Sequence, residues 1–300
     1  MRKLKAIWEL MRLEHGVMLA LAIFIGSIIS LQTTSGLSLQ DFPLDKFILT
    51  FFVALFLEAS TFALNDYFDL EIDKQNKRKD RPLARGDIDP KTAILIFCIL
   101  FPLGIIVSYF VNTTCFVIAL ITAIFAIIYD AYLKKIKLLG NFYIAYVMAI
   151  PFVFGSSAVQ QSESIFMMID SSVIIIALIA FLAGSGREIM KDVMDYDGDR
   201  KQGVKSFPRY IGVVWSKRIA SFFYLIAVGL SSLPFLQSSF TIYYRNYVYL
   251  GIVLLTDIIL LYTTIQLLFN QNIDMPKFRK ITLLAIFFGL LSFFLGAFIG

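Results

Sequence analysis

Nine apolar runs set the frame for this chain. They fall at about 16–32, 47–66, 92–111, 114–132, 139–158, 165–186, 217–236, 246–269 and 280–299 of its 300 residues. Each is within the roughly 17–25 residues that a helix needs to cross a bilayer. Backbone in hydrocarbon must satisfy its own polar groups, and runs of this length do so as helices. The expected fold is therefore all-α: a polytopic membrane protein, with nine transmembrane helices in a bundle forming a single domain over 1–300. Composition agrees. The chain is 58% hydrophobic and only 16% charged, with a mean hydropathy of +0.77, far from a soluble domain. The first run follows a basic amphipathic stretch and has no small-residue cleavage site after it, so it reads as a retained span.

Basic residues then orient the spans. If the N-terminus is cytoplasmic, 25 of the 27 Lys and Arg residues fall on the cytoplasmic side, and only Lys46 and Arg245 do not. That asymmetry supports both the span count and the orientation. The same side carries two long charged loops, about 67–91 and 187–216. They follow the second and sixth spans, which suggests a weak internal repeat. The opposite loops, such as QQSES (160–164), carry little chemistry. Cys98 and Cys115 sit in apolar runs without paired spacing and read as small buried hydrophobes. The single histidine, His15, excludes a multi-histidine metal centre.

The two charged segments hold the chemistry. NDYFDLEID (65–73) places Asn65, Asp69 and Asp73 four residues apart, on one helical face over two turns. No Gly or Pro interrupts it, so the helix is expected to continue past the apolar run. REIMKDVMDYDGDRKQGVKSFP (187–208) places Asp192, Asp195 and Asp199 at i, i+3 and i+7, again on one face. Like charges so spaced destabilise a helix unless a cation neutralises them. Oxygen donors without thiols or clustered imidazoles suit Mg²⁺ or Ca²⁺. Mg²⁺ typically takes one or two carboxylates and completes its shell with water and substrate phosphates. The pair of motifs thus describes a diphosphate site at the cytoplasmic mouth of a helical bundle.

Both motifs resemble those of the UbiA superfamily of intramembrane prenyltransferases. The first matches NDxxDxxxD through Asn65, Asp66, Asp69 and Asp73; the second matches DxxDxxxD through Asp192, Asp195 and Asp199. RKDRPLARGDI (78–88) resembles the family's RP-x-x-x-G segment through Arg81, Pro82 and Gly86. YDAYLKKIKLLGN (129–141) resembles its Tyr-containing segment through Tyr129, Leu133, Lys134, Gly140 and Asn141. MRLEHG (11–16) resembles the early Arg-x-x-Asn element through Arg12, with His15 in place of Asn. The resemblance covers essentially the whole chain. It implies a bundle around a central cavity, a Mg²⁺ cofactor, an isoprenyl diphosphate donor and a lipophilic acceptor, with the donor's tail in the bilayer. The second motif looks most like the digeranylgeranylglyceryl phosphate synthase branch, though SFP stands where that branch reads TLP. This implies geranylgeranylglyceryl phosphate as acceptor, in ether-lipid synthesis. An aromatic acceptor, as in quinone synthesis, is the alternative within the family. A membrane cation transporter is the alternative outside it; acids confined to one membrane face argue against that. Nucleic acid is not an expected partner.

The expected metal ligands are Asn65, Asp69, Asp73, Asp192, Asp195 and Asp199, with Asp66 and Asp192 also able to orient ligands. Asp69, Asp195 and Tyr129 are the candidate catalytic residues. Arg81, Lys134 and Arg12 are the candidate diphosphate contacts. Glu58, in the second span and seven residues before Asn65, is a candidate for the acceptor side or for accepting a proton. Asp257, in the eighth span, reads as an interhelical contact.

Overall fold

The computed structural model describes residues 2–34, 42–75, 77–159, 169–201, 203–270 and 273–299. Among these, nine helices are long and apolar enough to cross a membrane. Helix α1 (Arg2–Met11) buries Ala6 and Leu10 and leaves Leu4 and Trp8 exposed. A 3₁₀ turn, Leu13–His15, leads into α2 (Gly16–Thr34). Then come α3 (Leu44–Phe68), two short helices α4 (Leu70–Gln75) and α5 (Pro82–Arg85), α6 (Pro90–Val111) and α7 (Thr113–Ala131). The second half holds α8 (Lys137–Val159), α9 (Ser171–Lys201), α10 (Phe207–Ser231), α11 (Leu233–Leu236), α12 (Tyr247–Phe269) and α13 (Met275–Phe298).

Helix α9 is the most buried span, packed against α8, α10 and α13; α6 is the least buried and packs mainly on α3. Small residues set the closest crossing. A Cβ on Gly26 would lie 1.9 Å from the Phe152 carbonyl oxygen, and one on Gly155 would lie 2.0 Å from that of Ile23. Ser27 Oγ donates to the Ile23 and Gly155 carbonyls, each at 2.9 Å, across the same crossing. Helices in lipid gain by such close backbone approach because lipid tails compete for any looser apolar contact. The crossing fixes α2 against α8, two walls of the cavity described below.

Four expectations need correction. The segment 187–216 is not a long loop: α9 continues to Lys201 and carries the whole second motif. Hydropathy ends near 186, but helicity does not. Ile189 and Met190 stay buried, and Lys191 pairs with Glu188 one turn back at 2.6 Å. The first motif, in contrast, is interrupted: α3 ends at Phe68 and α4 starts at Leu70. The Asp69 and Asp73 amides still donate to the carbonyls four residues back, at 3.0 and 2.8 Å, so the shared face survives the break. The seventh span begins at Phe207, ten residues earlier than its apolar run, with Pro208 in the first turn and a departure from helical geometry at Gly212 (φ 80°, ψ 160°). Cys115 is buried as expected, but Cys98 is exposed on the bundle's outer surface. Residues 165–168 of the sixth expected span and the QQSES loop lie outside the described residues.

Candidate active site

A cavity of about 410 Å³ opens between α2, α3, α7 and α8. On α3 it is lined by Ala54, Leu57, Glu58, Thr61, Phe62 and Asn65, a single helical stripe that turns polar toward the motif. On α7, Ala119, Ala123 and Ala126 line it, and their small side chains leave the space open. Val147, Ile150, Pro151 and Phe154 of α8 complete an apolar depth, while Arg12, Arg81, Asp130 and Lys191 gather with Asn65 at the polar end. An elongated molecule with an anionic head and a hydrocarbon tail matches this gradient.

Three cations from outside the first motif, Arg12, Arg81 and Lys134, pair with its carboxylates. Asp66 is almost fully buried and accepts from Arg12 Nη2 at 2.9 Å and Arg81 Nη1 at 2.5 Å. Arg12 has left-handed backbone (φ 48°, ψ 45°), and its guanidinium lies 4.1 Å from the centroid of the Phe62 ring. Such backbone is uncommon for a residue with a Cβ, and here an ion pair and a cation–π contact hold it. Arg81 is placed by its own segment, with Pro82 opening α5 and Gly86 closing it in left-handed geometry (φ 76°). Its Nε lies 3.8 Å from Asp73 and is buried without a hydrogen-bond partner among the described residues. Lys134 Nζ donates to Asp69 Oδ1. Asn65 Nδ2 donates to Asp130 Oδ1 at 2.6 Å, leaving the amide oxygen available. Outside the spans, burial pushes the Asp73 carboxyl up, reinforced by the Asp69 charge. The Arg78 guanidinium, donating two hydrogen bonds to Asp80, draws that carboxyl down from 3.8 to about 2.

The second motif is held differently. Asp192 is buried and accepts from Asn141 Nδ2 at 2.8 Å and from the Phe207 amide at 3.3 Å, tying α9 to α8 and to the start of α10. Lys137 Nζ donates to Asp199 at 2.7 Å and lies 3.7 Å from Asp192. Asp195 makes no hydrogen bond or ion pair with a described residue. It lies one turn beyond the cavity-lining Lys191 on α9, as Asp69, just past the end of α3, lies one turn beyond the cavity-lining Asn65. One connector serves both motifs: Lys134 reaches Asp69, and Lys137 reaches Asp199 and Asp192. Its backbone is also bonded to the segment after α9, with the Lys205 amide donating to the Lys135 carbonyl at 3.0 Å.

Tyr129 lines the cavity and stacks on Tyr143, ring centroids 4.7 Å apart. Gly140 makes room for this ring, since a Cβ there would lie 3.2 Å from Tyr129 Cε2. Sequence reasoning did not single out Asp130, Tyr143 or Lys137. Asp130 directly follows Tyr129 within a quoted motif, so its sequence signal was present; Tyr143 and Lys137 are recognisable only by what they touch. Asp257 is the interhelical contact expected, accepting from Ser231 Oγ at 2.9 Å. Among the described residues no three His, Cys, Asp or Glu side chains converge as a metal cage. The donor set is all oxygen, and that combination suits Mg²⁺, which keeps waters and phosphates in its shell and needs few protein ligands. The unpartnered Arg81 Nε adds a site for a phosphate oxygen.

A bundle embedded in the membrane, with acids and guanidinium groups at the mouth of an apolar chamber, defines an integral-membrane enzyme class for substrates with charged heads and hydrocarbon tails. The chain matches the UbiA prenyltransferase family over residues 19–291 and belongs to that family; it is a multi-pass membrane prenyltransferase. It is 40% identical over 299 residues to digeranylgeranylglyceryl phosphate synthase of Archaeoglobus fulgidus, covering 99% of this chain and 97% of that one. A solved structure described as concerning digeranylgeranylglyceryl phosphate synthase in membranes superposes with a TM-score of 0.78 at 34% identity, covering 99% of both chains. A UbiA homolog from Archaeoglobus fulgidus bound to DMAPP and Mg²⁺ shares the fold, with a TM-score of 0.57 at 21% identity and 96% and 98% coverage.

Proposed function

We propose that this chain transfers a geranylgeranyl group from geranylgeranyl diphosphate to the free hydroxyl of geranylgeranylglyceryl phosphate. Relatives named for a product with two geranylgeranyl groups support this reading. The observation that carries it is the polarity gradient of the cavity, from Arg12, Arg81, Asn65 and Lys191 to Val147, Ile150 and Phe154. The charged end faces the cytoplasm, by the distribution of basic residues.

Mg²⁺ would be held by Asn65, Asp69, Asp73, Asp195 and Asp199, where it would supply neutralisation of the charge on a leaving diphosphate. Asp192, whose Oδ2 accepts from both Asn141 and the Phe207 amide, positions α9 and keeps Oδ1 for the metal's shell. Arg12, Arg81 and Lys134 exchange carboxylate contacts for phosphate oxygens as the donor enters. The apolar walls exclude water from the allylic cation. Tyr129 and Tyr143 present aromatic faces beside it.

Purified protein given labelled geranylgeranyl diphosphate and Mg²⁺ would be offered geranylgeranylglyceryl phosphate, hydroxybenzoate and dihydroxynaphthoate in parallel. The expected product is the ether of the first acceptor, lost on chelation and restored by Mg²⁺. A ring-alkylated product in place of the ether would overturn the acceptor assignment.

A further inference from the structure

Glu58 belongs to neither acid motif, yet it faces the cavity seven residues before Asn65. That spacing is about 10 Å along a helix axis, deeper than the charged mouth and beside the start of the apolar wall. Among the described residues two carboxylates line the cavity, Glu58 and Asp130. Asp130 accepts from Asn65. The Glu58 carboxylate accepts no hydrogen bond from a described residue, and the nearest basic side chain paired with it is His15, Nδ1 to Oε1 at 3.7 Å. The cations that line the cavity are engaged elsewhere: Arg12 and Arg81 with Asp66, Lys191 with Glu188. A carboxylate without a firm partner at membrane depth is costly and calls for a function.

His15 supplies the second half of the arrangement. It ends the 3₁₀ turn between α1 and α2, its ring set edge-on to Phe62 at 5.3 Å. Its side chain is 41% exposed, against 22% for Glu58. The imidazole therefore stands between the cavity carboxylate and the outside. At 3.7 Å the pair is beyond hydrogen-bond range, and one side-chain adjustment brings it into contact.

We propose that Glu58 is the general base that takes the proton of the acceptor's hydroxyl, and that His15 relays this proton out of the cavity. This rests on the glyceryl-acceptor reading above. The allylic C1–O bond of the donor breaks and its electron pair leaves with the diphosphate. The acceptor's hydroxyl oxygen forms the new bond to C1. Its proton passes to the Glu58 carboxylate, then to His15 and to water. No electron changes owner beyond these bonds, so no oxidant or reductant is required. Glu58 is a catalytic residue in this scheme; His15, acting through it, is a positioning and relay residue.

The test uses the full-length protein with Mg²⁺, geranylgeranyl diphosphate and geranylgeranylglyceryl phosphate. Glu58→Gln should lower kcat by about 10²-fold or more, as removal of a general base does. KM for both substrates should stay within about threefold, and thermal protection by the donor should persist. Glu58→Asp should recover part of the turnover. His15→Ala should lower kcat about tenfold, and added imidazole should restore it. A Glu58→Gln protein with kcat within about twofold of the original overturns the base assignment. Loss of donor protection together with turnover also overturns it, because Glu58 would then be structural. No response of folded His15→Ala to imidazole overturns the relay. Ring alkylation by the unaltered protein removes the glyceryl reading, and this proposal with it.

Discussion

The two acid motifs share a ligand spacing, but the fold treats them in opposite ways. In the first, at the α3–α4 break, cations from three separate segments close on the acids: Arg12 and Arg81 on Asp66, and Lys134 on Asp69. In the second, on the unbroken α9, neutral donors pin Asp192 and a single Lys137 holds Asp199, while Asp195 stays uncommitted. The contrast shows that equal spacing does not mean equal duty. Asp66 anchors the arginines, Asp192 anchors the helices, and Asp69 and Asp195 remain as the acids one turn beyond the cavity mouth.

The largest expected effects probe that division directly. Asp69→Ala and Asp195→Ala should each abolish prenyl transfer, by about 10³-fold or more, as expected when a metal ligand that stabilises leaving-group charge is lost. Both proteins should still insert and melt cooperatively. Full activity of either at saturating Mg²⁺, in a labelled-donor assay, would show that only one motif works. Next in size is Asp66→Ala. It leaves the partly buried Arg12 guanidinium without a counter-ion and Arg81 with only its longer contacts to Asp73 and Asp80, at a cost of about 3 kcal/mol, read as a large fall in Tm. Asp195→Ala should change stability by no more than about 0.5 kcal/mol. Equal Tm losses for the two would erase the distinction drawn between anchoring and working acids.

The connector lysines offer a smaller and sharper comparison. Lys134→Ala should raise the donor KM about tenfold, the loss of one charge-assisted hydrogen bond, with Tm little changed. Lys137→Ala should do the reverse, lowering Tm while KM holds, because it ties Asp192 and Asp199. The smallest effect is at Asp80. Its folded carboxyl lies below the unfolded value of 3.8, so the stability it contributes is present above pH 3.8 and fades as pH falls through about 2. A carboxyl-carbon NMR titration should place its midpoint near 2, and Arg78→Ala should return it toward 3.8.

Several of these assignments are legible in the order of residues alone. The nine apolar runs mark the number of spans, and the described helices place them within a few residues, except where α9 and α10 extend beyond their hydrophobic stretches. Those extensions are hidden because hydropathy marks where lipid begins, whereas a helix with buried Ile189 and Met190 and a Glu188–Lys191 pair continues into the polar region. Asn65, Asp69, Asp73, Asp195 and Asp199 emerge from helical periodicity, and the break at Asp69 does not disturb it. Arg12, Arg81 and Lys134 are recognisable as cations near the motifs, but their partners are not. Asp130, Tyr143 and Lys137 do not stand out, since their importance lies in what they meet across the bundle.

Sequence by itself determined the spans, the family and the acid faces, because those are properties of spacing along one chain. Helical period and hydrocarbon thickness are local rules, and residues 65–73 and 187–208 obey them without reference to anything else. Only the tertiary structure decided which partner each acid meets. It brought Arg12 from before the first span and Arg81 from beyond the second onto one carboxylate, and it set Glu58 beside His15. Electrostatic partnership falls steeply with distance and depends on solvent exclusion, so it is settled where helices pack and not where residues follow one another.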